Sequence, residues 1–364
     1  MRSGDSRGSL PRKQRSRLRR AAELGVAVLV TLGCALDVIG ATRAAANVRP
    51  LDELIAGEVD GLVTTYPERL QQVRDDHARP LPRAHAHNDY DHAWPLLDAL
   101  SHGFTSVEAD VWLVDGKLLV AHDRDDVRPG RSLERLYLSP LEQIQRMNGG
   151  SVYPGWHGSL ELLIDVKSKA GPTYAALDDV LRGHPGLLTS FTGDQTHRGA
   201  VTAVVTGHRA RAAMAAQPLR FAGYDGRLSD LISQEPASLM PLVSVDWTET
   251  FTWDGNGPMP ADEEQRLRDI VATAHAHAYR LRFWDTPDEP GPARTAVWRK
   301  LVDVGVDEIN TDDLAGLQRF LSQCPASPKS SPWAAWWATS APALPSVQIT
   351  VRAAAAPATS EAAH

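Results

Sequence analysis

The sequence predicts a (β/α)8 TIM barrel that carries a β-hairpin insertion after its second strand. Short apolar runs alternate with amphipathic helical segments over roughly 240 residues, which is typical of an α/β fold with a parallel sheet. Acids, histidines and a lysine close several of the early runs, as expected where strand ends converge on the mouth of a barrel. A doubly wound open sheet is the alternative, but no glycine-rich phosphate loop follows the first strand.

Eight principal strands are expected at residues 82–87, 105–112, 160–167, 201–206, 219–225, 241–247, 279–285 and 307–312. A further strand at 117–122 follows the tight-turn dipeptide Asp115-Gly116, which predicts the hairpin off the second strand. Residues 261–277 and 292–304 have helical periodicity and fill two of the gaps between strands. The segment from Trp247 to Pro260 is long and aromatic, so we expect it to cover the mouth.

The 364 residues divide into four parts by composition. Residues 1–46 suggest a signal peptide or anchor, 47–80 a helical extension, 81–324 the barrel, and 325–364 a low-complexity tail rich in Pro, Ala and Ser. The first part holds nine Lys and Arg residues against three acids, so the remainder carries −13 although the whole chain carries −7. An acidic body of this kind repels nucleic acid, which we therefore do not expect as a partner.

The first 46 residues have the order of a secretory signal. A basic start precedes an apolar run from Leu24 to Leu36, and small residues follow as far as Ala46. Cleavage after Ala46 would give a secreted or cell-envelope protein, whereas an uncut signal would anchor the chain to a membrane. A lipidated Cys34 is a third alternative. Only Cys324 would remain after cleavage, which excludes an intramolecular disulfide.

The tail contains three tryptophans, Trp333, Trp336 and Trp337. They would either cover the barrel or its bottom face, or contact a membrane surface or cell wall. The oligomeric state is left open by the sequence.

The first predicted strand ends in His85-Ala86-His87-Asn88. His85 and His87 are two residues apart, so they face the same way on a strand. We assign His87, which stands at the strand end, a functional role. His85 is expected to be a supporting histidine that forms hydrogen bonds in the core.

Glu108 and Asp110 share one face of the second strand, in an otherwise apolar run. Burying two carboxylates together is costly unless a cation or proton compensates their charge. A hard divalent ion such as Ca²⁺ or Mg²⁺, which prefers oxygen ligands, is the natural solution.

His122-Asp123 ends the hairpin, which could fold its tip back over the mouth. Asp165 and Lys167 alternate onto one face of the third principal strand. Asp165 can complete the metal shell, and Lys167 can offer its ammonium group to an anionic substrate. We expect His122, Asp165 and Lys167 to meet the groups of the first two strands at one mouth.

These motifs resemble the phospholipase C-like phosphodiesterase superfamily, which includes glycerophosphodiester phosphodiesterases and phosphatidylinositol-specific phospholipases C. The likeness is greatest to the branch that includes the altered-inheritance-of-mitochondria proteins, and it covers about residues 82–320. The matching segments are His87-Asn88-Asp89-Tyr90, Glu108-x-Asp110, His122-Asp123, Ile164-Asp165-Val166-Lys167, Phe283-Trp284-Asp285-Thr286 and Gly305 to Asp312. Asn88-Asp89 stands where glycerophosphodiesterases have Arg-Gly.

The resemblance implies a metal-dependent phosphoric diester hydrolase that acts on a glycerophosphodiester or phospholipid-type substrate. One histidine would take a proton from the nucleophile while the other protonates the leaving oxygen. The implied residues are His87 and His122 for acid–base catalysis, Glu108, Asp110, Asp165 and Asn88 for the divalent metal ion, and Lys167 and Trp284 for the substrate. For Trp284, a place in the core is the alternative.

Two other functions remain as alternatives. In a zinc amidohydrolase-like barrel, His85 and His87 would bind metal together with His208 and Asp312. That alternative leaves Glu108, Asp110 and His122 unexplained, and no histidine ends the sixth strand near Asp246. The second alternative is a non-catalytic envelope binding protein that has kept the barrel.

Overall fold

The structure is a computed structural model that describes residues 69–71, 73, 78–193 and 195–324. The expectations for residues 1–46 and 325–364, and for most of the extension at 47–80, lie outside the described residues. None of the helices within the described ranges is both long enough and apolar enough to cross a membrane.

Eight parallel strands close into a barrel, and this confirms the predicted fold class. The strands of the described residues are β1 Leu81–Ala86, β2 Phe104–Val114, β3 Lys117–Val120, β4 Leu160–Val166, β5 Ser190–Thr192, β6 Gln195–His197, β7 Val201–Gly207, β8 Leu219–Arg220, β9 Ala222–Gly226, β10 Leu242–Asp246, β11 Arg280–Trp284 and β12 Glu308–Thr311. Around the barrel the order is β1, β2, β4, β7, β9, β10, β11 and β12, and β12 pairs with β1 again. β3 lies outside this ring and pairs antiparallel with β2, as the predicted hairpin requires.

Helices follow most of the barrel strands and cover the outside. They are α1 Leu97–Ser101, α2 Ser139–Met147, α3 Ala170–Arg182, α4 Arg211–Ala216, α5 Trp247–Thr250, α6 Ala261–Ala276, α7 Pro292–Val304 and α8 Leu314–Gln323. The predicted helices at 261–277 and 292–304 correspond to α6 and α7 within one residue. Single 3-10 turns span Asp89–Asp91, Arg124–Asp126 and Leu228–Ile232, and a π-helical turn spans Glu134–Leu138.

The two faces of the barrel strands differ in character. Outward side chains such as Val107, Ile164 and Phe283 join one large apolar core. Inward side chains include a small apolar group, Leu163, Val204 and Leu242, but most of the inner face is polar. Because strand side chains alternate, polar residues two apart on one strand line the same interior. The polar and charged side chains of the barrel strands therefore lie inside the barrel and at its mouth.

Two details differ from the sequence-based expectation. The run at 219–225 is not one strand: Leu219–Arg220 pairs with β5 in a small antiparallel sheet, and only β9 belongs to the barrel. In the segment 247–260, Trp247 and Phe251 are buried and pack on Phe283, with ring centroids 5.5 and 5.9 Å from it. These aromatic rings extend the core and do not stand free over the mouth.

Candidate active site

Three carboxylates from neighbouring strands meet at the mouth. Glu108 and Asp110 project from β2, and Asp165 projects from β4, where it lies opposite Asp110 in the register of the sheet. One ligand oxygen of each lies within 4.8 Å of those of the other two. Glu108 and Asp110 are buried, and Asp165 is partly buried. The predicted metal residues on these two strands are thus brought together.

Gly207 makes room for the Asp165 carboxylate at the end of β7. A β-carbon at this position would lie 1.9 Å from Asp165 Oδ1 and 2.6 Å from the carbonyl oxygen of Val166. Gly207 also has a φ of +67°, a conformation that favours glycine. The Oδ1 atom that it accommodates is buried and has no hydrogen-bond partner among the described residues. An oxygen held in this way is suited to a cation.

The carboxylates differ in charge. Burial opposes ionisation of Glu108, but the positive charge of Arg282 and the neighbouring histidines hold its pKa well below the usual range. Burial and the charge of Glu108 raise the pKa of Asp110 to about 8. Lys167 Nζ lies 3.0 Å from Asp110 Oδ2 and 2.6 Å from Asp165 Oδ2. Burial works against the ammonium charge, yet these two carboxylates raise the pKa of Lys167.

His87 is oriented by a carboxylate from the last barrel strand. Its Nδ1 lies 2.7 Å from Asp312 Oδ1, and a carboxylate can only accept, so Nδ1 carries the proton. The other nitrogen, Nε2, lies 4.0 Å from Glu108 Oε2 and so faces the carboxylate cluster. Burial lowers the pKa of His87, but the hydrogen bond to Asp312 and the charge of Glu108 raise it overall. This is the arrangement of a histidine that transfers protons.

Asn88 joins the histidine to the carboxylates through a tyrosine. Its Nδ2 donates to Asp312 at 3.2 Å, and its Oδ1 accepts from the Tyr90 hydroxyl at 2.8 Å. The same hydroxyl lies 2.7 Å from Asp110 Oδ2. Asn88 holds a left-handed backbone conformation with a φ of 49°, which asparagine tolerates better than most residues. Its amide oxygen is therefore linked to Asp110 through the Tyr90 hydroxyl, and its role as a metal ligand stays a prediction.

A hydrogen-bonded chain runs beneath Glu108. Arg282 Nη1 lies 3.3 Å from Glu108 Oε2 and 2.5 Å from His85 Nε2. A guanidinium can only donate, so His85 Nε2 accepts and its Nδ1 donates to Ser106 Oγ at 2.6 Å. Ser106 in turn donates to Glu161 Oε1 at 3.1 Å. Burial and the charge of Arg282 lower the pKa of His85 to about 4, so this histidine is neutral and structural.

The floor of the barrel continues this network. Arg280 contacts Glu161 Oε2 at 2.6 Å and Glu308 Oε1 at 2.5 Å. With Glu108 and Arg282, three buried glutamates face two buried arginines, so one carboxylate lacks a counter-charge. Burial raises the pKa of Glu308 well above the usual glutamate value, and the neighbouring carboxylate of Glu161 adds to the increase while Arg280 opposes it. A proton on Glu308 balances the interior.

His122 forms no ion pair with any of the three carboxylates. It follows β3, and its side chain is 43% exposed, with Nδ1 3.4 Å from Asp123 Oδ1. The backbone just before it is tied to β2, because the Ala121 amide donates to the carbonyl of Asp110. The hairpin thus carries His122 to the neighbourhood of the metal residues, while the side chain points toward solvent. Its assignment as the second proton carrier stays a prediction.

Trp284 is one of two large hydrophobic side chains that are exposed among the described residues, at 38%. It shares a face of β11 with Arg280 and Arg282, whose side chains point into the barrel. Trp284 therefore stands at the mouth above them. The alternative of a place in the core is wrong, because that place is taken by its neighbour Phe283. Contact with substrate stays a prediction.

Several residues of this mouth were not predicted from the sequence. A role for Asp312 was predicted only in the zinc alternative, and none was predicted for Tyr90 or Arg282. A usable signal for Arg282 was the alternation of Arg280, Arg282 and Trp284 with Leu281 and Phe283, which marks one polar face of a strand. No local signal linked Asp312 to His87.

Comparisons with known proteins agree with this picture. A family model described as "AIM6-like phosphodiesterase domain" matches residues 75–225, and one described as "Glycerophosphoryl diester phosphodiesterase family" matches residues 280–315. Altered inheritance of mitochondria protein 6 from Eremothecium gossypii is 33% identical over 270 residues, which cover 66% of this chain and 69% of that protein. A homolog of that protein from Arthroderma benhamiae is 29% identical over 297 residues, covering 74% and 94%.

A solved glycerophosphoryl diester phosphodiesterase from Parabacteroides distasonis is 15% identical and covers 71% of this chain and 93% of its own, with a TM-score of 0.43.

The closed parallel barrel, with carboxylates, a histidine and a lysine at its mouth and with matches to two phosphodiesterase family models, is a phosphodiesterase-type TIM barrel. Within the glycerophosphodiester phosphodiesterase superfamily, this chain belongs to the altered inheritance of mitochondria protein 6 family.

Proposed function

We propose that this chain is a metal-dependent phosphoric diester hydrolase that acts on a glycerophosphodiester or phospholipid-type substrate. The observation that carries the proposal is the cluster of Glu108, Asp110 and Asp165, with ligand oxygens within 4.8 Å, beside an oriented His87. The family comparison points in the same direction, since one matching family model describes a phosphodiesterase domain.

The residues at the mouth fit a divalent cation. Their donors are hard carboxylate oxygens, which suit Ca²⁺ or Mg²⁺ better than the nitrogen and sulfur donors typical of zinc sites. The buried Oδ1 of Asp165, which has no hydrogen-bond partner among the described residues, is the atom that most needs a cation. Glu108, Asp110, Asp165 and Asn88 would hold the ion. When bound, it would supply Lewis-acid stabilisation of charge on the phosphate.

The side chains around the cluster then have separate roles. His87, with its Nδ1 proton fixed by Asp312, presents Nε2 as the base or acid. His122 would act as its opposite number from the hairpin, one taking a proton from the nucleophile and the other protonating the leaving oxygen. Lys167 supplies positive charge for the phosphate oxygens. Trp284 would pack on the alcohol part of the substrate.

Hydrolysis of bis(p-nitrophenyl) phosphate by the purified chain tests the proposal. We expect activity in Mg²⁺ or Ca²⁺, its loss with a chelator, and its return when the ion is restored. Activity that a chelator leaves untouched would contradict the metal-dependent mechanism.

Substitution of single histidines separates this proposal from the zinc alternative. His87→Ala and His122→Ala should each abolish turnover while thermal unfolding remains cooperative. The matched control is His208→Ala, since His208 is exposed and would bind metal only in the amidohydrolase reading. Retained activity in His87→Ala or His122→Ala would remove that histidine from the mechanism, and loss in His208→Ala would favour the zinc alternative.

The proposal extends to where the chain works. The basic and apolar start suggests export to the cell envelope or medium, and the tryptophans of the tail suggest contact with a membrane surface. Cell fractionation with amino-terminal sequencing tests the first point. A mature chain that begins near Asn47 is expected, and a chain that keeps Met1 in the cytoplasm would contradict it.

A further inference from the structure

An arginine stands in the mouth on the side away from His87. Arg227 directly follows β9, which lies opposite β1 in the ring of eight strands. Its Nη1 contacts the buried carboxylate of Asp225 at 2.7 Å, and its Nη2 lies 3.3 Å from Thr206 Oγ1. The side chain is nevertheless 39% exposed. The guanidinium is therefore held in one orientation while part of it remains open to the mouth.

A second arginine, Arg209, also contacts Asp225. Arg209 follows β7, and its Nη1 donates to the main-chain carbonyl of Asp225 at 2.5 Å. No carboxylate among the described residues lies within ion-pairing distance of Arg209. Burial and the nearby charge of Arg227 lower the pKa of Arg209, while the carboxylates of Asp225 and Asp230, which lie beyond ion-pairing distance, oppose the change. A half-buried arginine without an acid partner is costly unless an anion joins it.

The local charges leave one positive charge uncompensated. Asp225 is paired with Arg227, and Asp230 is paired with Arg211 at 3.1 Å. Arg211 also lies over the ring of Tyr224, 4.8 Å from its centre. The remaining charge is that of Arg209, at the edge of the mouth.

The arginines lie close to the carboxylate cluster but are separate from it. Thr206, which Arg227 contacts, is the register partner of Asp165 on the adjacent strand. β9 is thus two strands from β4, roughly 10 Å at the usual strand spacing. A phosphate held at the carboxylates could reach Lys167, while a second group of the same substrate would reach the arginines.

We infer that Arg209 and Arg227 form a subsite for a second anionic group, a phosphate or a carboxylate, on the alcohol part of the substrate. This inference rests on the proposed phosphodiesterase function and narrows its substrate class. Guanidinium groups suit the purpose because their planar donors match phosphate and carboxylate oxygens. Arg209 and Arg227 would hold the alcohol part of the substrate, away from the bond that is cleaved.

Calorimetric binding of two rigid phosphonates measures the subsite without requiring turnover. Phenylphosphonate carries one anionic group, and para-carboxyphenylphosphonate carries a second one across the ring. With Mg²⁺ present, the wild-type chain should bind the carboxylated ligand about ten-fold more tightly, as expected for one charge-assisted hydrogen bond. Arg209→Gln should reduce that preference to about one-fold to two-fold, and Arg209→Lys should restore part of it.

The matched control is Arg211→Gln, since Arg211 belongs to the same segment but already has an acid partner. Its preference should equal that of the wild type. Arg209 is chosen over Arg227 because removing Arg227 would leave the buried Asp225 without its counter-charge. Equal affinity of the wild type for the two phosphonates, including no binding of either, overturns the subsite. So does a preference that survives in Arg209→Gln.

The source of the second anion is distinguished with substrates. Glycerophosphoinositol monophosphate is compared with glycerophosphoinositol, and glycerophosphoserine with glycerophosphoethanolamine, by kcat/KM in the wild type and in Arg209→Gln. If the wild type prefers glycerophosphoinositol monophosphate and Arg209→Gln removes that preference, the second anion is a phosphate. If the wild type prefers glycerophosphoserine and Arg209→Gln removes that preference, the second anion is a carboxylate. No preference in either pair contradicts the inference. Failure to cleave any diester, together with selective phosphonate binding, would instead refute the proposed function alone.

Discussion

Replacing Gly207 by alanine should damage the metal site more than the fold. The new β-carbon would stand 1.9 Å from Asp165 Oδ1, a distance at which one of the two atoms must move. It would also stand 2.6 Å from the carbonyl oxygen of Val166, so the β-carbon cannot relieve the clash by moving toward the backbone of β4. The carboxylate of Asp165 is then the group that gives way, and it must leave its position beside Lys167.

The structure separates two contributions to the damage. An alanine at a φ of +67° costs about 1–2 kcal/mol in the free energy of unfolding, because its β-carbon crowds the backbone. Displacing one carboxylate oxygen from a shared ligand set costs roughly ten- to hundred-fold in metal affinity, by analogy with loss of the groups that orient metal ligands. The first effect is common to any left-handed glycine, whereas the second is specific to Gly207.

Gly305 offers the matched control. It has a φ of +92° at the end of α7, and a β-carbon there would meet no atom within 4 Å. Gly305→Ala should therefore carry the backbone strain alone. Urea unfolding measures stability in both variants, and calorimetric titration with Mg²⁺ and Ca²⁺ measures affinity.

We expect Gly207→Ala to lose metal affinity and kcat/KM while Gly305→Ala keeps both. Gly207→Ala should also be the less stable variant in urea, because its β-carbon meets the backbone carbonyl oxygen of Val166 in addition to the strain that both variants share. If Gly207→Ala binds the ions as tightly as Gly305→Ala, then either Asp165 is not a ligand or the strand absorbs the clash. In either case the close approach of Gly207 to Asp165 would have no part in metal binding.

Three further changes test other parts of the barrel. Asp312→Asn should lower the pKa of His87, since it removes the adjacent negative charge. The acidic limb of the pH–rate profile should therefore move to lower pH, and kcat should fall at least about ten-fold. An unmoved limb would argue against a catalytic pair of His87 and Asp312. Burial raises the pKa of Glu308, so the folded chain keeps a proton that the unfolded chain loses, and stability falls as pH rises above about 4.3. Glu308→Gln should flatten that slope in urea unfolding at a series of pH values, and an unchanged slope would contradict a protonated Glu308. Trp284→Ala should raise KM several-fold with little change in kcat. Ile232→Ala, which replaces the other exposed large hydrophobic residue of the described chain, should leave KM unchanged. Equal KM values for Trp284→Ala and the wild type would remove Trp284 from the substrate site.

The metal residues could be predicted from the sequence because their signal is local. Glu108 and Asp110 alternate with apolar residues, as do Asp165 and Lys167, and a period of two puts each pair on one face of a strand. Strand order along the chain then brings β2 and β4 together. The fold class followed from the same alternation of strands and helices, and all eight principal strands are present, although one run proved to be divided between two sheets.

The rest of the mouth depends on contacts between distant parts of the chain. Asp312 is 225 residues from His87, and only the closure of the barrel brings β12 beside β1. The role of Gly207 depends on a distance of closest approach, which no pattern of residue types reveals. Arg227 looks like an ordinary loop residue in the sequence, and its orientation is set by Asp225 and Thr206.

The charged interior has a consequence for how the chain folds. Glu161 on β4 pairs with Arg280 on β11, and Glu108 on β2 pairs with Arg282 on β11, so these buried charges are balanced only when β11 is in place. An incomplete barrel would hold glutamates or arginines in an apolar shell without their counter-ions. Partly assembled barrels are therefore less stable than the complete barrel. Pairing β1 with β12 also costs the conformational entropy of closing a very long loop. Acquisition of the native state should then be a late, all-or-none event, and fragments that stop before β11 should not persist as stable partial barrels.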